Sequence, residues 1–317
     1  MFFPRSETLS FLSRLTQPDA LARLLAAALL PLALAGASSA ATPAGPYLGQ
    51  TPPGETPVVF APGVISRGNI HSRLVISPDS REMFWNTVDM ATFSTQILSV
   101  RSVDGTWTSP EAPPFTRGGN TQGALFSPDG TKLHFWIDSG EGWAARSVER
   151  TEGGWSSPQS GGIAPPSSSS FTRSGEVFYS AELKSKVWGS GIFAGRYTAE
   201  GILEGRPLGP RINVENAIDY TPFVSPDGSF LLFSSNRPTL GDQEDMHLHV
   251  TFRAGDGEWS APVRVLDIEG RFPSLSPDGK YLFFCGDDGN IYWVAASILE
   301  SLRPPGATRP EKAAPTT

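Results

Sequence analysis

The sequence predicts an all-β protein, a single β-propeller of about five four-stranded blades closed by the N-terminal strand. Three observations carry this. A Ser-Pro-Asp turn recurs roughly every 50 residues, a Gly-x-Trp turn follows it after about 30 residues, and the last repeat lacks a final strand that the N-terminal end supplies. Periods of about 40–50 residues built from short strands mark propeller blades.

The turns come first. Ser77-Pro78-Asp79-Ser80, Ser127-Pro128-Asp129-Gly130, Ser225-Pro226-Asp227-Gly228 and Ser276-Pro277-Asp278-Gly279 each precede an apolar run such as Phe230-Leu231-Leu232-Phe233. A worn copy stands at Thr172-Arg173-Ser174-Gly175. Pro presets φ at the first central position, Asp caps the turn through its side chain, and Gly takes the left-handed conformation that ends it. Apolar residues on both sides form the first two strands of a blade. Third strands are expected at Ile97–Arg101, Trp143–Val148, Met246–Phe252 and, in the last blade, Ile291–Val294. The Gly105-Thr106-Trp107, Gly153-Gly154-Trp155 and Gly257-Glu258-Trp259 turns then lead into an outer strand, where Pro is tolerated at a sheet edge. After Ile291–Val294 no such turn follows. Thr56–Gly63 matches the missing strand, and its pairing removes the open edge. Five turns give five blades, or six if a further degenerate copy exists.

The remaining segments frame this domain, assigned to residues 55–303. Residues 1–40 read as a secretory signal: Arg5, Arg14 and Arg23 precede an apolar run from Leu24 to Ala37, followed by small residues. That run is shorter than the ~20 residues of a bilayer span, so no stable membrane span is expected after signal removal. Residues 41–54 form a Pro/Gly-rich lead-in, Ala295–Leu302 a short helix, and residues 304–317 a disordered tail. Export places the protein in the periplasm or outside the cell, and a ring that closes on itself suits a monomer. Without the signal, 22 basic side chains face 30 acidic ones, a net charge of −8 that argues against nucleic acid and anionic membrane surfaces. The single cysteine, Cys285, permits no internal disulfide and reads as a buried apolar group.

In these turns, in Phe233-Ser234-Ser235-Asn236-Arg237-Pro238 and in Asp104-Gly105-Thr106-Trp107, the sequence resembles the TolB-like, WD-like β-propeller repeat family of exported bacterial proteins. The resemblance spans about residues 47–303. It also looks like a branch that begins with Tyr47-Leu48-Gly49-Gln50-Thr51-Pro52-Pro53-Gly54 and ends with Ile291-Tyr292-Trp293-Val294. It implies a propeller, without the extra N-terminal domain of TolB, that binds partners in the periplasm or outside the cell. It transfers no catalytic residue.

A candidate site follows from strand geometry. Side chains alternate along a strand. Counting back five from the first turn residue gives Ser72, Gln122, Ser167, Tyr220 and Arg271, all polar or polar-tipped. Counting back one gives Ile76, Phe126, Phe171, Val224 and Leu275, all apolar, and at this even spacing the two sets share a face. The polar set should ring the channel mouth, opposite the Ser-Pro-Asp turns. His71, Asp219, Asn236 and Arg237 join it, with the acidic loop Gly241–Asp245 nearby. Convergent polar groups in a concavity suit ligand binding. The expected function is a binding scaffold for a protein or glycan partner.

Two alternatives use the same fold. A glycoside hydrolase or lyase would need a carboxylate pair about 5–10 Å apart, and only Asp219 stands near the mouth. An envelope assembly component would act through its outer blade faces. No phosphate loop, nucleophile elbow or Cys-x-x-Cys pair is present, so no catalytic residue and no cofactor is assigned. His247 and His249, two apart on a strand, lack a third ligand, so no metal is assigned and surface positions are expected for them. Asp287-Asp288-Gly289-Asn290 reads as a hairpin turn and lacks EF-hand spacing.

Overall fold

The computed structural model describes residues 43–70, 72–160, 168–184, 189–198, 201–237 and 245–308. Residues 1–40, His71, Ser167 and Gly241–Glu244 therefore lie outside the described residues. Among the described residues no helix is long and apolar enough to cross a membrane.

The strands form five four-stranded antiparallel sheets, the blades of a propeller. The first strand, β1 (Val58–Val59), is set aside for the last blade. Blade 1 holds β2 (Val75–Ile76), β3 (Glu82–Asp89), β4 (Ser94–Val103) and β5 (Thr106–Trp107). Blade 2 holds β6 (Asn120–Phe126), β7 (Lys132–Asp138), β8 (Trp143–Thr151) and β9 (Gly154–Trp155). Blade 3 holds β10 (Ser170–Phe171), β11 (Glu176–Glu182), β12 (Ser190–Thr198) and β13 (Gly201–Pro207). Blade 4 holds β14 (Asp219–Val224), β15 (Phe230–Ser235), β16 (His247–Phe252) and β17 (Val263–Arg264). Blade 5 holds β18 (Arg271–Leu275), β19 (Tyr281–Cys285) and β20 (Ile291–Ala295), and β1 completes it by pairing Val58 with Trp293 and Val59 with Tyr292. A short helix, α1 (Ser297–Ser301), follows β20.

Each turn works as its residues dictate. The Ser hydroxyl donates to the Asp carboxylate at 2.5–2.6 Å in all four Ser-Pro-Asp copies. The same hydroxyl accepts the backbone N–H five residues on, at Glu82, Lys132, Phe230 and Tyr281. Ser80 takes the left-handed position at φ 58°, where the other copies have Gly. In the worn copy Thr172 and Ser174 share a hydroxyl contact of 2.9 Å, and Arg173, which unlike Pro has an N–H, donates it to Pro226 O of the next turn. The turns pack around the ring: a Cβ on Gly130 would stand 2.5 Å from Pro78 Cγ.

Blades are joined by repeated side-chain devices. Arg150 stacks on Trp155 (4.2 Å) and pairs with Glu82 of blade 1 at 2.8 Å. Arg253 stacks on Trp259 (4.6 Å) and pairs with Glu176 of blade 3 at 2.9 Å. The two arginines occupy equivalent places, each donating its N–H to the residue just before the second strand of its own blade, Thr131 or Ser229. The Gly-x-Trp turns thus serve as arginine platforms as well as strand connections. Outer strands are short where Pro interrupts them, as at Pro110 between the Val103–Thr106 and Ser99–Glu111 pairings.

The closing seam carries an aromatic cluster. Phe60, Phe283 and Trp293 are fully buried and pack edge-on or stacked at 5.1–5.7 Å, with Tyr47 and Tyr281 against them. Burying such side chains contributes about 2–3 kcal/mol each. The lead-in is part of this seam. Trp107 Nε1 donates to Gly45 O at 2.7 Å, Trp107 N donates to Pro43 O, and Gln50 brackets the chain at Val59 O and Ala61 N. At the other end, residues 304–308, expected within the tail, stay on the fold. Thr308 N donates to Arg253 O, and Ala307 bridges Ala254 of blade 4.

Candidate functional site

Along the inner strands the turn residues stand at one face of the ring, and the residues five positions earlier stand toward the other. Between them lies a feature absent from the simple alternation. The register shifts by one residue between Gln122 and Leu125, between Tyr220 and Phe223, and between Arg271 and Ser274. The residue after each site position is left-handed: Gly123 at φ 71°, Thr221 at 51° and Phe272 at 54°. This is a β-bulge, and its extra residue reverses the side-chain alternation. The polar residues therefore do not share a face with Phe126, Val224 and Leu275, which corrects the even-spacing argument.

The bulge also re-aims backbone groups. Gly123 N donates to Asn86 Oδ1 of blade 1 (3.1 Å), Thr221 N to Ser180 Oγ of blade 3 (2.9 Å), and Phe272 N to Thr221 Oγ1 of blade 4 (3.3 Å). The inner strands of blades 2, 4 and 5 are thereby tied to the preceding blade.

At this level four of the expected site residues are half-buried. Ser72 Oγ accepts Asn86 N at 2.9 Å and holds the start of the blade 1 inner strand. Gln122 lies opposite Trp136. Tyr220 meets Phe272 of blade 5 edge-on, with ring centroids 6.2 Å apart. Arg271 Nη2 stands 3.8 Å from Glu269 Oε2.

Asp219, Asn236 and Arg237 are engaged with one another or with nearby backbone. Asp219 is 0% exposed. It accepts from Ser235 Oγ (2.6 Å), Arg237 Nη2 (2.7 Å) and Val214 N (3.2 Å). Arg237 also donates to Ile212 O and lies 4.8 Å over Phe233, while Asn236 Oδ1 accepts Ile218 N. These groups anchor the connection leading into β14. Asp219, Ser235 and His247 form one cross-strand row. No proton relay results, because the Ser235 hydroxyl donates to Asp219 and His247 Nδ1 contacts Ile268 O at 3.1 Å.

Both β16 histidines are buried rather than at the surface. Burial, reinforced by the Arg237 charge, pushes His249 down to about 4, and its Nε2 has no hydrogen-bond partner. His134, between blades 2 and 3, is likewise pushed down to about 4 by burial. Cys285 is buried, and its thiol is pushed up to about 12.

The residue the motif count passed over is Arg73. It extends from the inner strand of blade 1 to the inner strands of blades 3, 4 and 5. Its Nη1 donates to Ser169 O, one Nη2 bond reaches Pro222 O and Nε donates to Pro273 O, all at 2.7 Å, with Thr221 O at 3.4 Å. It is 9% exposed, and burial lowers it to about 10. Contacts to blades on opposite sides of the ring put its guanidinium on the channel axis. The available sequence signal was one basic residue inside the run Ser72-Arg73-Leu74-Val75-Ile76.

No protein-family model and no curated protein matches the sequence. Among solved structures, a protein assigned as TolB from Agrobacterium tumefaciens is 19% identical, covering 70% of this chain and 71% of its own, with a TM-score of 0.44. TolB from Acinetobacter baumannii is 15% identical over 65% of this chain and 47% of its own, with a TM-score of 0.41. Hydrazine synthase from Kuenenia stuttgartiensis is 11% identical over 77% of this chain and 82% of its own, with a TM-score of 0.39. The chain is a five-bladed β-propeller whose structural neighbours include TolB proteins.

Proposed function

We propose that this protein is an exported binding propeller that seats a protein or glycan partner at its channel mouth. One observation supports the reading: Ser72, Gln122, Tyr220 and Arg271, each five positions before its blade's turn, are half-buried, while Arg73 bonds across the inner strands of blades 3, 4 and 5. Polar groups with an aromatic edge at a propeller mouth would suit binding. Tyr and Arg are also the side chains that most often dominate binding energy. Export rests on the signal-like residues 1–40, and a monomer on the ring being completed by its own β1.

The test begins with photo-crosslinking from position 220 and a glycan array. Affinity of the identified partner or glycan is then measured for wild type and for Tyr220→Ala/Arg271→Ala. Loss of about tenfold or more, with unchanged thermal unfolding, is expected from removing two such anchors. Unchanged affinity in the folded double variant refutes the site.

A further inference from the structure

The channel axis carries an arrangement independent of any partner at the mouth. Ser169, Pro222 and Pro273 stand three positions before the first turn residue of blades 3, 4 and 5. Two of these positions are prolines, which have no N–H to offer. Their carbonyls face the axis as acceptors only. In blade 1 the equivalent carbonyl, Leu74 O, accepts Ser274 Oγ of blade 5 at 2.8 Å. The other three would be buried and unpaired without a donor, and an unpaired buried acceptor is costly. Arg73 supplies all the bonds at once, with no carboxylate among its partners in the described residues.

We infer that the centre of the propeller is a guanidinium-binding site formed by backbone carbonyls of three blades and filled by the chain's own Arg73. The chemistry selects this cation. Guanidinium offers five N–H donors in a fixed planar fork, stays charged at all ordinary pH values and is weakly hydrated. An ammonium is a compact, strongly hydrated point charge and cannot reach three separated acceptors with the same geometry. A metal ion would require the carbonyls to converge more closely than the spread of a guanidinium allows. Occupation by Arg73 ties blade 1 to blades 3, 4 and 5 through the middle of the ring.

Chemical rescue tests this on the full chain. Arg73→Ala should lower Tm by roughly 5–15 °C, as expected for removing a shared donor to several buried carbonyls in a chain of this size. Adding about 5–50 mM guanidinium or methylguanidinium chloride, well below denaturing concentrations, should then raise the Tm of Arg73→Ala saturably. Wild type should show only the slight fall that guanidinium causes in any protein. Equal concentrations of sodium or methylammonium chloride should not rescue. Arg73→Met, which keeps the space filled, should be destabilised and not rescued. A guanidinium response of Arg73→Ala no different from wild type overturns the inference, as does Arg73→Met with wild-type Tm. If Arg73→Ala cannot be obtained folded, Arg73→Lys decides, and its Tm matching wild type overturns the inference.

Discussion

Acid should loosen this propeller well before its carboxylates titrate. His134 and His249 are both held neutral in the fold, at about 4 against the usual 6.5. Burial is the main cause in each. Lys132 adds to it at His134, and Arg237 at His249, outweighing Asp129 and Asp219, which act in the opposite sense. The sign follows from linkage. On acidification the unfolded chain binds protons at these residues first, so their contribution is complete above pH 6.5 and is lost as pH falls toward 4. At about pH 5 the loss is about 2 kcal/mol for each histidine, or about 4 kcal/mol for the pair, a large share of an ordinary domain's stability. Urea unfolding followed by tryptophan fluorescence at about pH 7.5 and about pH 5 measures it. His134→Phe is the diagnostic variant. His134 Nε2 has no partner, and its ring contact with Tyr197, 5.7 Å edge-on, survives in Phe. The variant should match wild type at the higher pH and lose about 2 kcal/mol less at the lower one. Equal pH sensitivity in both proteins would refute the reasoning.

Two further outcomes follow from buried groups elsewhere. Asn86→Ala removes the acceptor of Gly123 N and the donor to Thr121 O (2.7 Å), both across the seam between blades 1 and 2; it should destabilise by about 2–4 kcal/mol in urea unfolding, and a change within about 0.5 kcal/mol contradicts the seam role. Cys285, buried with its thiol pushed up to about 12, should react with a thiol reagent at neutral pH only as fast as the protein opens, and rapid stoichiometric labelling of the native protein contradicts its placement.

The turns were legible because each of their residues performs a local task. Ser, Pro, Asp and Gly act on a backbone four residues long, so their chemistry shows in their order. Where Pro gives way to Arg173, the freed N–H finds an acceptor on the next turn, and the fold persists. Closure by β1 was legible for a similar reason, since a missing strand at one end and a surplus strand at the other are both local facts. The bulge was not legible. Its left-handed position holds Gly123, Thr221 and Phe272 in different blades, so no residue type announces it, and the strain at Thr221 and Phe272 is offset by contacts outside their own strand. Missing it put the polar residues on the wrong face relative to the apolar ones. Arg73 was hidden for a deeper reason: its partners are carbonyl oxygens, which every residue has. Asp219 and Arg237 were singled out by charge and by sequence proximity to the mouth, yet the sequence gives no indication that they satisfy one another.

The pairing of β1 with β20 has a consequence for how the chain is made. The two halves of the closing seam are separated by almost the whole domain. A ribosome produces β1 first and releases β20 last, so the first strand spends synthesis without its partner. Blades 1 to 4 can each form from contiguous sequence as they emerge, but the fifth cannot. The ring behaves like a bracelet whose clasp is manufactured at both ends of the wire: Phe60 stays wet until Phe283 and Trp293 arrive to cover it. Until then β1 has no partner strand, and the fifth blade can be completed only after β20 is made.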